Sequence, residues 1–104
     1  MKSITTSSFN QEVLNSNLPV MVKFTADFCM PCKKMQPILE ELSQELNGKA
    51  HIYSIDIEEY PEIASQYKVR SIPTMMVFDG GQITALQVGS TTKDALLAMF
   101  PSKE

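Results

Sequence analysis

Two cysteines separated by two residues are the part of this sequence best suited to chemistry. Cys29 and Cys32 form a Cys-x-x-Cys motif and are the only cysteines among the 104 residues. A bridge between them would close too short a loop to stabilise a fold much through chain entropy, so we predict a reactive or metal-binding pair. A zinc site needs about four ligands, and His51 is the only histidine. Reversible thiol chemistry is therefore favoured over zinc binding and over inert buried thiols.

The motif lies between a predicted strand and a predicted helix. Val20 to Ala26 is an apolar segment typical of a strand covered on both faces. From Pro31 onward, apolar residues recur every three or four positions, which predicts a long amphipathic helix. We expect Pro37 to kink this helix and Asn47-Gly48 to end it. Its apolar positions are Met35, Ile38, Leu39, Leu42 and Leu46.

The start of this helix predicts different roles for the two thiols. The first turn of a helix carries unpaired N–H groups and a partial positive charge, which favour the thiolate of Cys29. Cys32 lies three residues on, on the same helical face, within reach of a mixed disulfide on Cys29. Pro31 between them suits a first turn, where no N–H is needed. The spacing predicts attack by an exposed Cys29 and resolution by a buried Cys32.

The remaining elements alternate between helices and strands. Strands joined by helical crossovers should be parallel, and a hairpin should add an antiparallel pair to the same sheet. We therefore predict an α/β sandwich in which helices cover both faces of a mixed sheet. A capping box at Ser8-Phe9-Asn10-Gln11 predicts a short helix after it, and Ala50 to Ile57 is predicted as a strand. A short helix from Pro61 to Tyr67 should follow, and then a hairpin of Thr74 to Phe78 and Ile83 to Val88 around Gly80-Gly81. The last predicted helix begins near Thr91 and Asp94 and has Leu96, Leu97 and Phe100 on its apolar side.

Length and composition set the class of protein. We expect one domain over residues 1–104, long enough to bury a core without metal or disulfide staples. Hydrophobic residues make up 43% and the net charge is −3, with no basic run. Nucleic-acid binding and attachment to a membrane surface are therefore not expected. The first twelve residues hold no apolar run of signal-peptide length, so we expect a cytoplasmic protein.

Several segments together resemble the thioredoxin family. Val22 to Lys33 resembles its active-site segment, whose usual motif is Trp-Cys-Gly-Pro-Cys-Lys. Ser71 to Thr74 resembles the family's Ile-Pro-Thr, which implies a cis peptide bond before Pro73, facing the active disulfide. Pro37 resembles the family's helix-kinking proline, and Gly89 resembles the glycine that lines the substrate groove. The similarity covers essentially the whole chain and implies a thioredoxin-like three-layer sandwich.

The chain departs from the family pattern at the reactive pair and beneath it. Phe28 replaces the usual Trp, Met30 replaces the Gly between the cysteines, and Thr25 replaces another aromatic residue. Lys23 stands in place of the family's buried Asp, and Ser54 in place of its lysine partner. As an ammonium, Lys23 would stabilise a thiolate and make the pair more oxidising; as a neutral amine, it would accept the proton of Cys32. A third alternative is that its side chain extends to the surface and does neither.

The resemblance implies a protein-disulfide reductase that works by dithiol exchange through Cys29 and Cys32. No cofactor is needed, because the cysteine pair is the redox centre. The implied partners are oxidised client proteins and a thioredoxin-reductase-like electron donor, and we expect a monomer. The alternatives are a binding or adaptor subunit with incidental redox activity, and a disulfide oxidase or isomerase. The expected client-binding residues are Phe28, Met30, Pro31, Ile72, Pro73 and Gly89.

Overall fold

A computed structural model describes residues 1–101, which contain five strands and four α-helices. The strands form one sheet in the order β1-β3-β2-β4-β5. None of the helices described is long and apolar enough to cross a membrane. In chain order the elements are β1 (Lys2–Ser3), α1 (Thr6–Phe9), β2 (Val20–Thr25), α2 (Met30–Glu45), β3 (His51–Asp56), α3 (Pro61–Gln66), β4 (Thr74–Asp79), β5 (Gln82–Val88) and α4 (Lys93–Ala98).

The sheet is mixed, as predicted. β2 pairs with β3 in parallel, because α2 carries the chain back to the end of the sheet at which β2 began. β1 is also parallel to β3, whereas β4 is antiparallel to both β2 and β5. The central strand β2 is buried along almost its full length, as its unbroken apolar sequence predicted.

Helices cover both faces of the sheet, which confirms the three-layer arrangement. On one face, side chains of α1, of the helical turn that follows it and of α3 form a buried cluster with β2 and β4. The members of this cluster include Phe9, Val13, Ile63, Phe24 and Phe78. On the other face, α2 and α4 pack on the sheet through Met35, Leu39, Leu42 and Leu96, among others. Leu97 was expected on the apolar side of α4, but it is 42% exposed. Of the six residues of α4, only Leu96 is buried, where it packs against α2 and the sheet.

The N-terminal helix begins earlier than its sequence predicted. Thr5 is the N-cap and forms the capping box with Ser8: the Ser8 N–H donates to Thr5 Oγ1 at 3.1 Å, and the Thr5 N–H donates to Ser8 Oγ at 3.0 Å. The predicted box beginning at Ser8 is therefore wrong, because the Ser8 side chain caps from inside the first turn. After α1 the chain continues as a π-helical segment, Asn10–Leu14, in which the Asn15 N–H donates to the Asn10 carbonyl at 2.9 Å.

The hairpin between β4 and β5 has the predicted two-residue turn. Gly80 and Gly81 have φ of +60° and +81°, the left-handed values that such a tight turn needs at both central positions. Gly81 also has little space beside it, because a Cβ there would lie 3.1 Å from the Leu14 carbonyl oxygen. The turn therefore packs against the end of the N-terminal helical segment and fixes β5 at one edge of the sheet.

Candidate active site

The two cysteines lie where β2 passes into α2. The Cys29 N–H donates to the Ala26 carbonyl at 3.2 Å, which turns the chain into the helix. Cys29 is the N-cap of α2, and its Sγ accepts a hydrogen bond from the Cys32 N–H at 3.1 Å. Pro31 occupies the first turn, where its missing N–H leaves no helical hydrogen bond unmade. An amide of the first turn of α2 is thus directed at the sulfur of Cys29, as the sequence predicted.

Cys29 and Cys32 form a disulfide, with their Cα atoms 5.2 Å apart. Cys29 is 5% exposed and Cys32 is 1% exposed. The expectation of an exposed Cys29 is therefore wrong for the oxidised pair, although Cys29 is the more accessible of the two. Within residues 1–101 no group of three or more His, Cys, Asp or Glu side chains is arranged to hold a metal ion.

A second segment reaches the same end of the sheet from β4. Thr74 pairs with Phe24 in the antiparallel register, so Pro73 lies beside the end of β2, just before the loop that leads to Cys29. The Ile72–Pro73 peptide bond is cis, as the resemblance implied. The Gly89 N–H donates to the Pro73 carbonyl at 2.8 Å, which ties this loop to the end of β5. The topology therefore brings together residues from β2, β4 and β5 at one edge.

The expected client-binding residues differ in their exposure. Phe28 is 68% exposed and Met30 is 62% exposed, the two highest values among the large apolar side chains of the described residues. Pro31 is also exposed, whereas Ile72 and Gly89 are half-buried. Pro73 is buried. Phe28 and Met30 form an apolar rim beside the disulfide.

Lys23 lies beneath the disulfide on β2, between Ser54 of β3 and Met75 of β4. It is only 3% exposed, so its side chain does not extend to the surface. Its Nζ donates to the Cys32 carbonyl at 3.2 Å and to Gln36 Oε1 at 2.7 Å. Burial lowers the pKa of Lys23, and the nearby Glu40 carboxylate raises it in partial compensation.

Two residues that the sequence did not single out complete this polar cluster. Gln36 Nε2 donates to Glu40 Oε2 at 2.9 Å, so a chain of contacts runs from Glu40 through Gln36 to Lys23. Gln36 and Glu40 follow Cys32 at successive intervals of four along α2, which places all three on one helical face. That spacing was the available signal. A cleft of about 540 Å³ opens beside them; its lining includes Lys23, Thr25, Lys33, Gln36, Ser54 and Asp56.

Comparisons with known proteins agree with this geometry. The family model described as "Thioredoxin" matches residues 1–102. The chain is 46% identical over 95 residues to the thioredoxin of Rickettsia felis, covering 91% of this chain and 90% of that protein. It is 44% identical over 93 residues to thioredoxin 1 of Nostoc sp., covering 89% and 87% of the two chains. Similarity of this extent shows that the chain belongs to the thioredoxin family and is a thiol–disulfide oxidoreductase that reduces protein disulfides.

Proposed function

We propose that Cys29 is the nucleophile and Cys32 the resolving thiol of this reductase. The hydrogen bond from the Cys32 N–H to Cys29 Sγ, at the head of α2, is the observation that carries the assignment. Cys29 Sγ therefore has both a hydrogen-bond donor and the positive end of a helix beside it, and both favour a thiolate on this sulfur. Cys32, less exposed and inside the first turn, is the thiol that reacts second.

The exchange proceeds in two steps, attack by Cys29 and resolution by Cys32. The Cys29 thiolate attacks one sulfur of a client disulfide, forming a Cys29–client bond, and the other client sulfur leaves as a thiolate that takes up a proton. Cys32 then loses its proton to solvent, and its thiolate attacks Cys29 Sγ. The Cys29–Cys32 bond forms as the Cys29–client bond breaks, and the second client sulfur leaves as a thiolate that takes up a proton. The client gains two electrons and the cysteine pair loses two.

We assign client binding to the apolar rim of Phe28 and Met30 and to the backbone beside Pro73. The exposed rim offers apolar area next to the reacting sulfur. Because the Pro73 carbonyl already accepts from Gly89, half-buried Ile72 is the residue whose backbone pairs with an extended client segment. Pro31 and Gly89 flank this position, Pro31 on the motif side and Gly89 at the end of β5.

The full cycle needs a partner that returns the electrons. We propose a thioredoxin-reductase-like donor, which transfers two electrons and two protons to the Cys29–Cys32 disulfide. We place this cycle in the cytoplasm, where disulfides of this kind are transient, and assign it to a monomer.

The experiment compares two serine variants on insulin, a protein with accessible disulfides. The wild-type chain should accelerate insulin reduction by dithiothreitol, and neither variant should. Cys32→Ser should accumulate a mixed disulfide with insulin that gel electrophoresis without reductant resolves, whereas Cys29→Ser should accumulate none. A mixed disulfide on Cys29→Ser alone would reverse the two roles. A wild-type chain that leaves the rate of insulin reduction unchanged would contradict the reductase cycle itself.

A further inference from the structure

A row of polar side chains connects the surface of α2 to the backbone of the reactive pair. Lys23 Nζ donates to the Cys32 carbonyl and to Gln36 Oε1, and Gln36 Nε2 donates to Glu40 Oε2. Glu40 Oε1 accepts a further bond from the Met1 amino group at 2.9 Å. The row therefore has one end at a surface carboxylate and the other on the residue that carries the resolving sulfur.

The chemistry of these groups fixes the orientation of the Gln36 amide. An ammonium has donors only and a carboxylate has acceptors only, so Gln36 must present its oxygen to Lys23 and its NH₂ group to Glu40. Hydrogen bonds from the Met1 amino group and from Gln36 lower the pKa of Glu40, which keeps it an acceptor. Glu40 thus holds Gln36 in the one orientation that offers Lys23 an acceptor.

We propose that Gln36 and Glu40 are positioning residues that hold the Lys23 ammonium beneath the Cys29–Cys32 pair, and that this cation makes the pair more oxidising. The proposal rests on the proposed function only in taking these two thiols as the redox pair. The disulfide is neutral, whereas its reduced form can carry a thiolate, and a fixed cation stabilises the thiolate alone. The cation therefore shifts the equilibrium toward the reduced pair, which is the meaning of a more oxidising couple.

Other charged groups lie around the same cleft, and their fields also act on the cysteine pair. They are Asp27, Lys33, Asp56 and Glu59. Each of these side chains belongs to a residue that is exposed or half-buried, so solvent screens their fields more than that of Lys23. Lys23 is the buried cation of the set, and it is bonded directly to the Cys32 carbonyl.

The test is the equilibrium of the cysteine pair with a glutathione redox buffer, read by alkylating the free thiols. In Lys23→Met, the equilibrium constant for reduction should fall about three- to tenfold, which corresponds to a potential about 15–30 mV more reducing. Gln36→Met leaves the Met1–Glu40 contact in place and changes no charge. It should shift the equilibrium two- to threefold in the same direction, because Lys23 loses its acceptor.

Glu40→Gln gives the sharpest result, because two explanations predict opposite signs. Removing a carboxylate that acts only through its own field would favour the thiolate and make the pair more oxidising. Removing a positioning carboxylate releases Gln36 and Lys23, so the pair should become more reducing by about twofold. Glu41→Gln is the matched control: it makes the same charge change one residue along α2, where Glu41 pairs with Lys93, and should leave the equilibrium unchanged.

Double variants complete the test. Glu40→Gln and Gln36→Met should each have no further effect in the Lys23→Met background, because both act through the lysine. An independent shift in that background, or a more oxidising Glu40→Gln, would overturn the positioning role. An unchanged potential in Lys23→Met with slower resolution of the mixed disulfide would instead identify a neutral amine acting as base, and would also overturn it. The potential can be measured whether or not insulin is reduced, so failure of this proposal is distinguishable from failure of the reductase cycle.

Discussion

Replacing Lys23 by methionine should make the oxidised protein more stable at neutral pH. The change keeps the length and apolar stem of the side chain but removes the ammonium of a residue that is only 3% exposed. The variant loses two hydrogen bonds, one to the Cys32 carbonyl and one to Gln36. Half-buried Gln36 can bond to water instead, and the Cys32 carbonyl keeps its place in the i→i+4 pattern of α2.

The magnitude follows from two opposing contributions. Hydrogen bonds to charged groups contribute about 1.5–3 kcal/mol each, whereas withdrawing an ion from water costs several kcal/mol. Replacing buried ionic groups by apolar side chains of similar volume is commonly stabilising by about 1–4 kcal/mol. Because the ammonium has one neutral backbone partner and one neutral amide partner and lies only near a carboxylate, we expect a gain of about 1–2 kcal/mol.

The gain should depend on pH with a definite sign. Burial lowers the pKa of Lys23 in the folded protein, so above that pKa the unfolded chain binds more protons at this position than the folded chain does. The wild-type free energy of unfolding therefore rises with pH, relative to Lys23→Met, between the folded pKa and the unfolded value of about 10.4. The advantage of the variant should be full below this interval and smaller above it.

Urea unfolding of both oxidised proteins at pH 7 and near pH 10.5 measures the difference directly. Lys33→Met is a matched control, because this lysine borders the same cleft but is exposed; its effect should stay within about 0.5 kcal/mol. A less stable Lys23→Met at pH 7 would show that the two hydrogen bonds of the ammonium outweigh the cost of burying it, which would refute the prediction. If Lys23→Met gained the same free energy of unfolding at both pH values, the gain would not come from removing the buried charge.

Two further matched pairs test local features of the fold. In the reduced state, Cys29→Ala should be less stable than Cys29→Ser by about 1 kcal/mol in urea unfolding, because serine keeps an acceptor for the Cys32 N–H at the helix N-cap; equal stabilities would contradict the capping role. Gly81→Ala should be more destabilising than Gly80→Ala in thermal unfolding, since both residues have positive φ but only Gly81 has the Leu14 carbonyl at 3.1 Å from an added Cβ. Each should cost about 1 kcal/mol or more, and the reverse order would count against the contact with Leu14.

Features of the fold that depend on local periodicity were predictable from the sequence. The apolar run of β2, the spacing of Met35 and Leu39 in α2, and the Gly80-Gly81 turn each specify one local structure. The cap at Thr5 was missed because several Ser and Thr residues near it offer equivalent hydroxyls, and only the geometry decides which one bonds. Leu97 was assigned to the wrong side because a helix of six residues is too short for the spacing of its apolar residues to define one buried face.

The site was predictable in its reactive atoms and less so in its surroundings. The Cys-x-x-Cys spacing at a strand-to-helix junction specified the pair, and the resemblance specified Pro73 and Gly89. The burial of Cys29, which is 5% exposed, is a tertiary property that no local pattern encodes. The contact between Lys23 and Gln36 joins a strand to a helix. The intervals of four along α2 therefore align Gln36 with Glu40 but do not indicate which strand residue Gln36 contacts.

The antiparallel pairing of β2 with β4 has a consequence for the way each new molecule is made. The cysteine motif follows β2, but Pro73 precedes β4 and its carbonyl is bonded to Gly89, so β3 and α3 must be synthesised before the site can close. At about 5–20 residues per second, that interval lasts several seconds. During it both thiols are present without the Pro73 segment, because long-range strand pairing is needed to bring that segment beside β2. Both thiols are therefore synthesised several seconds before the fold that surrounds them is complete.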